Sequence, residues 1–250
     1  MISRVIISIK YLNLAHQRGL GCADPTSVVA VQLYYRCDTA GHCTNANVDA
    51  PFQVLNPISR LPVNNNGTLI ALPALPDLGA GVARGRLVLG IGTQSNNQLP
   101  ASAKVMAVQT DPSRDDYLFL STQIGSQTWP YSYVDSGSNG LFFDDATITG
   151  SCGGAGRGAA WYCPAAATHR TALLTDRIGQ TQSLDLTVIS ADALFASANS
   201  AFGTLGGHTG SGAQQAFVWG LPVFFGRRVY TSIWGQALSS NGPWVVMAAP

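Results

Sequence analysis

One aspartate of this chain lies where a carboxylate can take part in acid–base chemistry. Residues 131–134 (YSYV) form an apolar run that leads directly into Asp135-Ser136-Gly137-Ser138. This pattern predicts a carboxylate at the tip of a buried strand, with two serine hydroxyls near enough to form hydrogen bonds. Gly137 lets the backbone approach a substrate or a second loop closely. The tripeptide by itself also fits an Asx turn that caps a hairpin, and taken alone it favours that structural interpretation.

Other candidates for catalysis or metal binding are weaker. No Gly-x-Ser-x-Gly elbow is present, so a serine nucleophile has little support. The adjacent aspartate pairs 115–116 and 144–145 fit solvated turns, because neighbouring residues on a strand point to opposite faces. The glycine-rich segment 203–212 lacks the lysine of a phosphate-binding loop. The histidines are scattered: His16, His42, His169 and His208. No cofactor and no metal site is therefore predicted.

The composition predicts an all-β protein. All 13 acidic residues are aspartate, and Lys10 and Lys104 are the only lysines among the 14 Lys and Arg residues. Glutamate, lysine and arginine usually cover exposed helix faces, whereas this chain is rich in glycine, with 27, and in proline, with 13, which are typical of turns. A formal net charge of +1 leaves no excess of cations to neutralise phosphates, so nucleic-acid binding is disfavoured.

The cysteines predict two short disulfide loops. Cys37 and Cys43 flank a polar loop, and Cys152 and Cys163 flank a loop rich in glycine and alanine. We expect the Cα atoms of each pair to lie within about 7 Å of each other, and Cys22 to be unpaired in this chain. Free thiols or a metal site are the alternative, but no C-x-x-C spacing supports zinc. Disulfides would place the protein in an oxidising compartment.

The N-terminal residues do not match an export signal. The apolar stretch 5–9 is shorter than the roughly 7–15 residues that a signal peptide needs. No segment approaches the roughly 20 apolar residues of a transmembrane helix. The missing signal and the unmatched Cys22 together suggest that the N-terminus is truncated.

Short strands separated by glycine or proline turns are predicted along most of the chain. A helix is predicted over 191–202, with Ser190 as its N-cap. The apolar segment 217–234 contains Pro222 and Gly226, which predicts two buried strands joined by a tight bend. The other predicted strands are 28–35, 68–72, 86–91, 104–109, 117–124, 128–134 and 183–189.

Around Asp135 the chain resembles the C-terminal lobe of pepsin-like aspartic peptidases. Residues 86–92 (RLVLGIG) look like the strand that opens that lobe. Val218-Trp219-Gly220 looks like its hydrophobic-hydrophobic-Gly element, which in that fold crosses under the Asp-containing loop. The segments GIGTQSNN, DSGSNGLFF and WGLPVFFGRRVY resemble, more closely still, a family of uncharacterised bacterial exported proteins with a pepsin-like outline. The resemblance implies a single pepsin-like lobe over 85–250, preceded over 1–84 by a remnant of a first lobe or an inter-lobe segment.

The resemblance also implies a function for Asp135. It would be one catalytic carboxylate, with Ser136, Gly137 and Ser138 as its loop and with Trp219 and Gly220 as support. Aspartic peptidases pair two such carboxylates, which share a proton and activate a water. This chain has no second Asp-Thr-Gly turn, so half of the pair is missing.

We therefore expect an aspartic-peptidase-related protein that is periplasmic or secreted. It would be inactive alone, or would need a second lobe or a second copy to act on a peptide or protein substrate. Two alternatives remain open. One is a non-catalytic β domain that binds a peptide or an envelope component through the cleft beside Asp135, and the other is a disulfide-stapled surface module.

Overall fold

The computed structural model describes residues 34–46, 57–111, 117–153, 160–210, 215–233 and 244–249. Their regular structure is almost entirely β, so the predicted all-β class is confirmed. The strands are β1 (Tyr34–Cys37), β2 (Cys43–Ala46), β3 (Gly67–Leu72), β4 (Arg86–Leu89), β5 (Met106–Ala107), β6 (Gln109–Asp111), β7 (Tyr117–Ile124), β8 (Gln127–Val134), β9 (Leu141–Phe142), β10 (Thr168–Thr175), β11 (Thr181–Val188), β12 (Gly206–Gly207), β13 (Ala216–Trp219), β14 (Arg227–Ser232) and β15 (Trp244–Ala248). The one α-helix among the described residues is α1 (Ala191–Ala196).

The larger sheet has eight strands and bears Asp135 at the end of β8. Its order is β11-β10-β7-β8-β13-β9-β12, with β6 paired to β7. Strand β13 runs parallel to β8 and antiparallel to β9. The chain leaves β8, passes through the Asp135 loop and enters β9, so β13 is inserted between two strands that are consecutive in the sequence.

The second sheet is antiparallel throughout and has five strands in the order β4-β3-β14-β15-β5. Strand β3 precedes residue 85, yet it lies between β4 and β14, which both follow it. The sheet therefore contains strands from both sides of the predicted division at residues 84 and 85. Strands β1 and β2 form a separate two-stranded hairpin.

The two sheets share one apolar core. Trp129, Phe217 and Trp219 of the larger sheet are buried there, together with Phe143, which follows β9. The rings of Phe143 and Phe217 stack with centroids 4.5 Å apart, and the rings of Phe217 and Trp219 stack at 4.4 Å. Met106, Val229, Val245 and Met247 of the second sheet belong to the same cluster. This core holds β8 and β13 together from below the Asp135 loop.

The helix is shorter than predicted, because it ends at Ala196 and not at residue 202. The hydroxyl of Ser197 donates to the carbonyl oxygen of Leu194 across 2.6 Å, and the backbone N–H of Ser197 donates to the same oxygen. Serine side chains compete in this way with the helical hydrogen-bond pattern. Ser190 occupies the N-cap position, as predicted, but its side chain makes no capping hydrogen bond.

The segment 217–234 contains two strands, as predicted, but their connection is longer than a tight bend. A 3-10 turn over Leu221–Phe224 separates β13 from β14, with Pro222 near its start. Gly226 then takes a φ of 69°, which favours glycine, and begins the return into β14. Strands β10 and β15 are not among the predicted strands, and residues 28–33 of the first predicted strand lie outside the described residues.

Candidate functional site

Both predicted disulfides are present. The Cα atoms of Cys37 and Cys43 are 4.0 Å apart, and those of Cys152 and Cys163 are 5.1 Å apart. Cys22 lies outside the described residues. The two disulfides indicate an oxidising, non-cytoplasmic location.

The carboxylate of Asp192 lies within 4.8 Å of the Cys152 and Cys163 sulfurs. In the disulfide these sulfurs are not thiolates, which are the form of cysteine that binds a metal. Asp192 instead accepts a hydrogen bond from the backbone N–H of Gly153 at 2.6 Å. This cluster is therefore a structural feature of the disulfide loop.

Strand pairing places Asp135 beside Trp219. Val134 is paired with Trp219 in the parallel ladder of β8 and β13. One residue further on, the backbone N–H of Asp135 donates to the carbonyl oxygen of Trp219 at 2.9 Å. The indole N–H of Trp219 donates to the Thr122 hydroxyl at 2.9 Å, so β13 is also joined to β7.

The Asp135 carboxylate is held by its own loop. The backbone N–H of Gly137 donates to Oδ1 at 2.9 Å, and the Ser138 hydroxyl donates to Oδ2 at 2.7 Å. The carboxylate is buried, with 6% of the residue exposed, and Ser136 is buried beside it. A hydrogen bond from the backbone N–H of the second residue after an aspartate to its side chain is the signature of an Asx turn. The predicted Asx turn is therefore present and orients the carboxylate, but it caps no hairpin, because β13 lies between β8 and β9.

Gly220 lies directly under this loop. The backbone N–H of Leu221 donates to the Ser138 carbonyl oxygen at 2.6 Å. A Cβ atom on Gly220 would overlap the carbonyl oxygen of Gly140 and would lie 2.7 Å from that of Ser138. The expected crossing of residues 218–220 under the Asp135 loop is thus observed, whereas the pepsin-like lobe and the catalytic role of Asp135 stay predictions.

The structure brings together a second polar cluster that sequence reasoning missed. Asp144 Oδ1 lies 3.0 Å from Nδ1 of His208, and the Thr209 hydroxyl donates to the other oxygen of Asp144. The ring of Tyr162 packs on that of His208 with centroids 4.3 Å apart. The Thr209 hydroxyl contacts the carboxylate and not the imidazole, so the order of nucleophile, base and orienting acid needed for a triad is absent from this cluster.

Asp145 is buried, with 5% exposed, so its predicted place in a solvated turn is wrong. Its Oδ1 accepts bonds from the backbone N–H and the hydroxyl of Thr147, and Arg170 Nε lies 3.6 Å from its Oδ2. The Tyr162 hydroxyl donates to the Phe143 carbonyl oxygen and accepts from the Asp145 N–H. Burial raises the pKa of Tyr162 above its usual value. No sequence signal marks these contacts, because they join separate loops.

Comparison with known proteins identifies the family of the chain. Residues 13–247 match the family described as Protein of unknown function (DUF3443). A comparison with curated proteins found no match. In the part of the chain that the structure describes, no helix is long and apolar enough to cross a membrane. Since the family match extends over most of its length, the chain belongs to the DUF3443 family.

Proposed function

We propose that this protein is an aspartic-peptidase-related protein in which Asp135 supplies one carboxylate of a catalytic pair. A second copy of the chain, or a separate lobe, would supply the other carboxylate. The observation that supports this proposal is the Asp135 loop, whose carboxylate is oriented by Gly137 N–H and Ser138 O–H above the Gly220 floor. The disulfides support a periplasmic or secreted location, where such an enzyme would meet peptide or protein substrates.

A monomer of this protein should not hydrolyse peptides. Hydrolysis by carboxylates needs one ionised group as base and one protonated group as acid, and mutual repulsion separates their two pKa values. The loop of Asp135 contains no second carboxylate that could repel it in this way. Half of a cleft also fails to orient substrate and water, and orientation supplies up to roughly 7–11 kcal/mol of rate acceleration.

The shape of the loop allows a second copy to approach it. Asp135 itself is buried, but Gly137 and Asn139 at the tip of the loop are exposed. Two such tips meeting around a twofold axis would bring two Asp135 carboxylates towards each other. The symmetric arrangement would provide the like-charge pair that a monomer lacks.

The test is cleavage of a denatured protein at acid pH over a concentration series. We compare the wild type with Asp135→Asn and with Asp77→Asn, which changes an exposed aspartate that is not part of the loop. We expect the total rate to rise with the square of the protein concentration for wild type and Asp77→Asn, and to vanish for Asp135→Asn. Cleavage that is linear in concentration and lost in Asp135→Asn would contradict an inactive monomer. Absence of cleavage at every concentration would contradict a pair formed by two copies.

The alternative is a non-catalytic domain that binds a peptide or an envelope component beside Asp135. It is favoured by the burial of the carboxylate and by the hydrogen bonds that both of its oxygens already accept. Under this alternative, denatured protein binds without being cleaved at any concentration. The same concentration series, with binding measured alongside cleavage, separates the two functions.

A further inference from the structure

A pocket of about 200 Å³ opens beside the free edge of β11, the edge that pairs with no other strand among the described residues. Its apolar wall is formed by Leu75, Pro222, Val223 and Phe225. The edge of β11 at residues 185–187 closes the opposite side. The volume is below the roughly 300–1,000 Å³ of pockets for drug-sized ligands, so it fits a group of the size of one amino-acid residue.

Arg227 also lines the pocket and is partly buried. Its guanidinium donates to the carbonyl oxygens of Val223 and Asp185, at 3.2 and 3.5 Å. These two bonds leave three of its five N–H donors for another acceptor. Among the described residues, no carboxylate oxygen lies within 4 Å of Arg227 to form an ion pair.

The environment of Arg227 favours an anionic ligand. Burial lowers the pKa of Arg227, whereas the nearby negative charge of Asp185 opposes that shift. The Asp185 carboxylate is exposed and accepts the Thr171 hydroxyl at 2.6 Å, on the neighbouring strand β10. A partly desolvated cation without an ion-pair partner binds a carboxylate more strongly than an exposed cation does, because less water must be displaced.

The edge of β11 offers backbone groups to the same pocket. The Asp185 carbonyl oxygen reaches Arg227, and the Ile189 N–H donates to the Thr204 carbonyl oxygen at 3.1 Å. Both residues therefore point their backbone groups away from β10. Alternation along an antiparallel strand directs the N–H and C=O of Thr187, which lies between them, to the same free edge. Free strand edges of this kind pair with extended peptides.

We propose that this pocket binds the C-terminal residue of an extended peptide. The peptide backbone pairs with Thr187 at the edge of β11, its terminal carboxylate contacts Arg227, and its last side chain enters the apolar wall of Val223 and Phe225. This binding does not use the Asp135 carboxylate, although Leu141 and Trp219, which flank the Asp135 loop, also line the pocket.

The experiment measures binding of acetyl-Ala-Ala-Val-Leu with a free C-terminus to the full chain by calorimetry. The same peptide with a C-terminal amide tests whether binding needs the terminal carboxylate. N-acetyl-leucine tests whether a single residue with a free carboxylate is enough for binding. We expect the amide to bind about 10- to 100-fold more weakly, since a charge-assisted pair is lost. N-acetyl-leucine, which cannot pair along the strand, should also bind at least about tenfold more weakly than the peptide. Equal binding of acid and amide would overturn the role of Arg227, and equal binding of N-acetyl-leucine would overturn the strand pairing.

Paired variants keep the test independent of folding. Arg227→Gln should weaken the peptide about 10- to 100-fold, whereas Arg228→Gln, its neighbour over the Tyr230 ring, should not. Thr187→Pro removes the edge N–H and should weaken binding, whereas Ser183→Pro changes the same edge outside the pocket and should not. Weakening of the same size in both members of either pair would contradict the site.

Discussion

The backbone N–H of Asp135 donates a hydrogen bond to the carbonyl oxygen of Trp219 across 2.9 Å. This bond extends the parallel pairing of β8 and β13 one residue beyond Val134. The carboxylate-bearing loop is thereby joined to a strand from a distant part of the chain. Substitutions in β13 should therefore alter the position of Asp135, even where the substituted side chain contacts no side chain of the loop.

Gly220→Ala should destabilise the protein by about 1–3 kcal/mol, because the added methyl overpacks the space below the loop. The new Cβ would overlap the Gly140 carbonyl oxygen and would meet that of Ser138 at 2.7 Å. Chemical denaturation measures the change. Gly81→Ala is the control, since no atom lies within 4 Å of a Cβ there. Equal stability of Gly220→Ala and wild type would show that the loop does not rest on Gly220.

Ser138→Ala should lower the free energy of unfolding by about 1–3 kcal/mol, because the Asp135 carboxylate loses a hydrogen bond in a buried position. Ser138→Thr keeps the hydroxyl and is the matched control, with stability close to that of the wild type. Urea denaturation of the three proteins at pH 7 measures the difference. If Ser138→Thr loses as much stability as Ser138→Ala, the hydrogen bond of the hydroxyl group is not the cause of the destabilisation.

The two disulfides should differ in their effect on stability. Cys163 packs against Ala191, Leu194 and Leu205, so replacing Cys152 and Cys163 together by alanine should cost about 2–3 kcal/mol. The Cys37–Cys43 hairpin pairs with no other strand that the structure describes. Its double alanine variant should stay within about 0.5 kcal/mol of the wild type in the main unfolding transition. Thermal unfolding of both variants measures the two losses of stability. A larger loss in the Cys37–Cys43 variant than in the Cys152–Cys163 variant would contradict this prediction.

Tyr162 should make the stability depend on alkaline pH. Burial raises its pKa in the folded state above the value of about 10 in the unfolded chain. The neutral, buried phenol of Tyr162 therefore contributes its full stabilisation of the folded state below about pH 10. This contribution is lost as the pH rises through the folded-state pKa. Denaturation midpoints between pH 8 and pH 11 measure this loss.

Tyr162→Phe should reduce the alkaline loss without abolishing it, because burial also raises the pKa of Tyr230. At pH 8 the same variant should already be about 1–3 kcal/mol less stable, since the Phe143 carbonyl and the Asp145 N–H lose their partner. An unchanged pH dependence in Tyr162→Phe would contradict burial of the neutral phenol.

The sequence alone determines the features that depend on neighbouring residues. Strand β7 lies at the predicted residues, and β8 begins one residue earlier than predicted. Both strands are runs of aromatic and β-branched residues between turns, and that signal is local. The disulfides were predictable because each closes a short loop, with separations of 6 and 11 residues. The position of Asp135 after a strand follows for the same reason.

The tertiary structure decided which distant segments meet. The floor at Gly220 was expected only through a family resemblance, and neither composition nor periodicity indicates it. The contact of Asp144 with His208 and that of Arg227 with the edge of β11 had no sequence signal. The helix ended early because Ser197 bonds Leu194, a choice between two local patterns of similar energy. Local propensities act over a few residues, whereas these contacts depend on how two sheets bury a common core, and that is settled only when the whole chain folds.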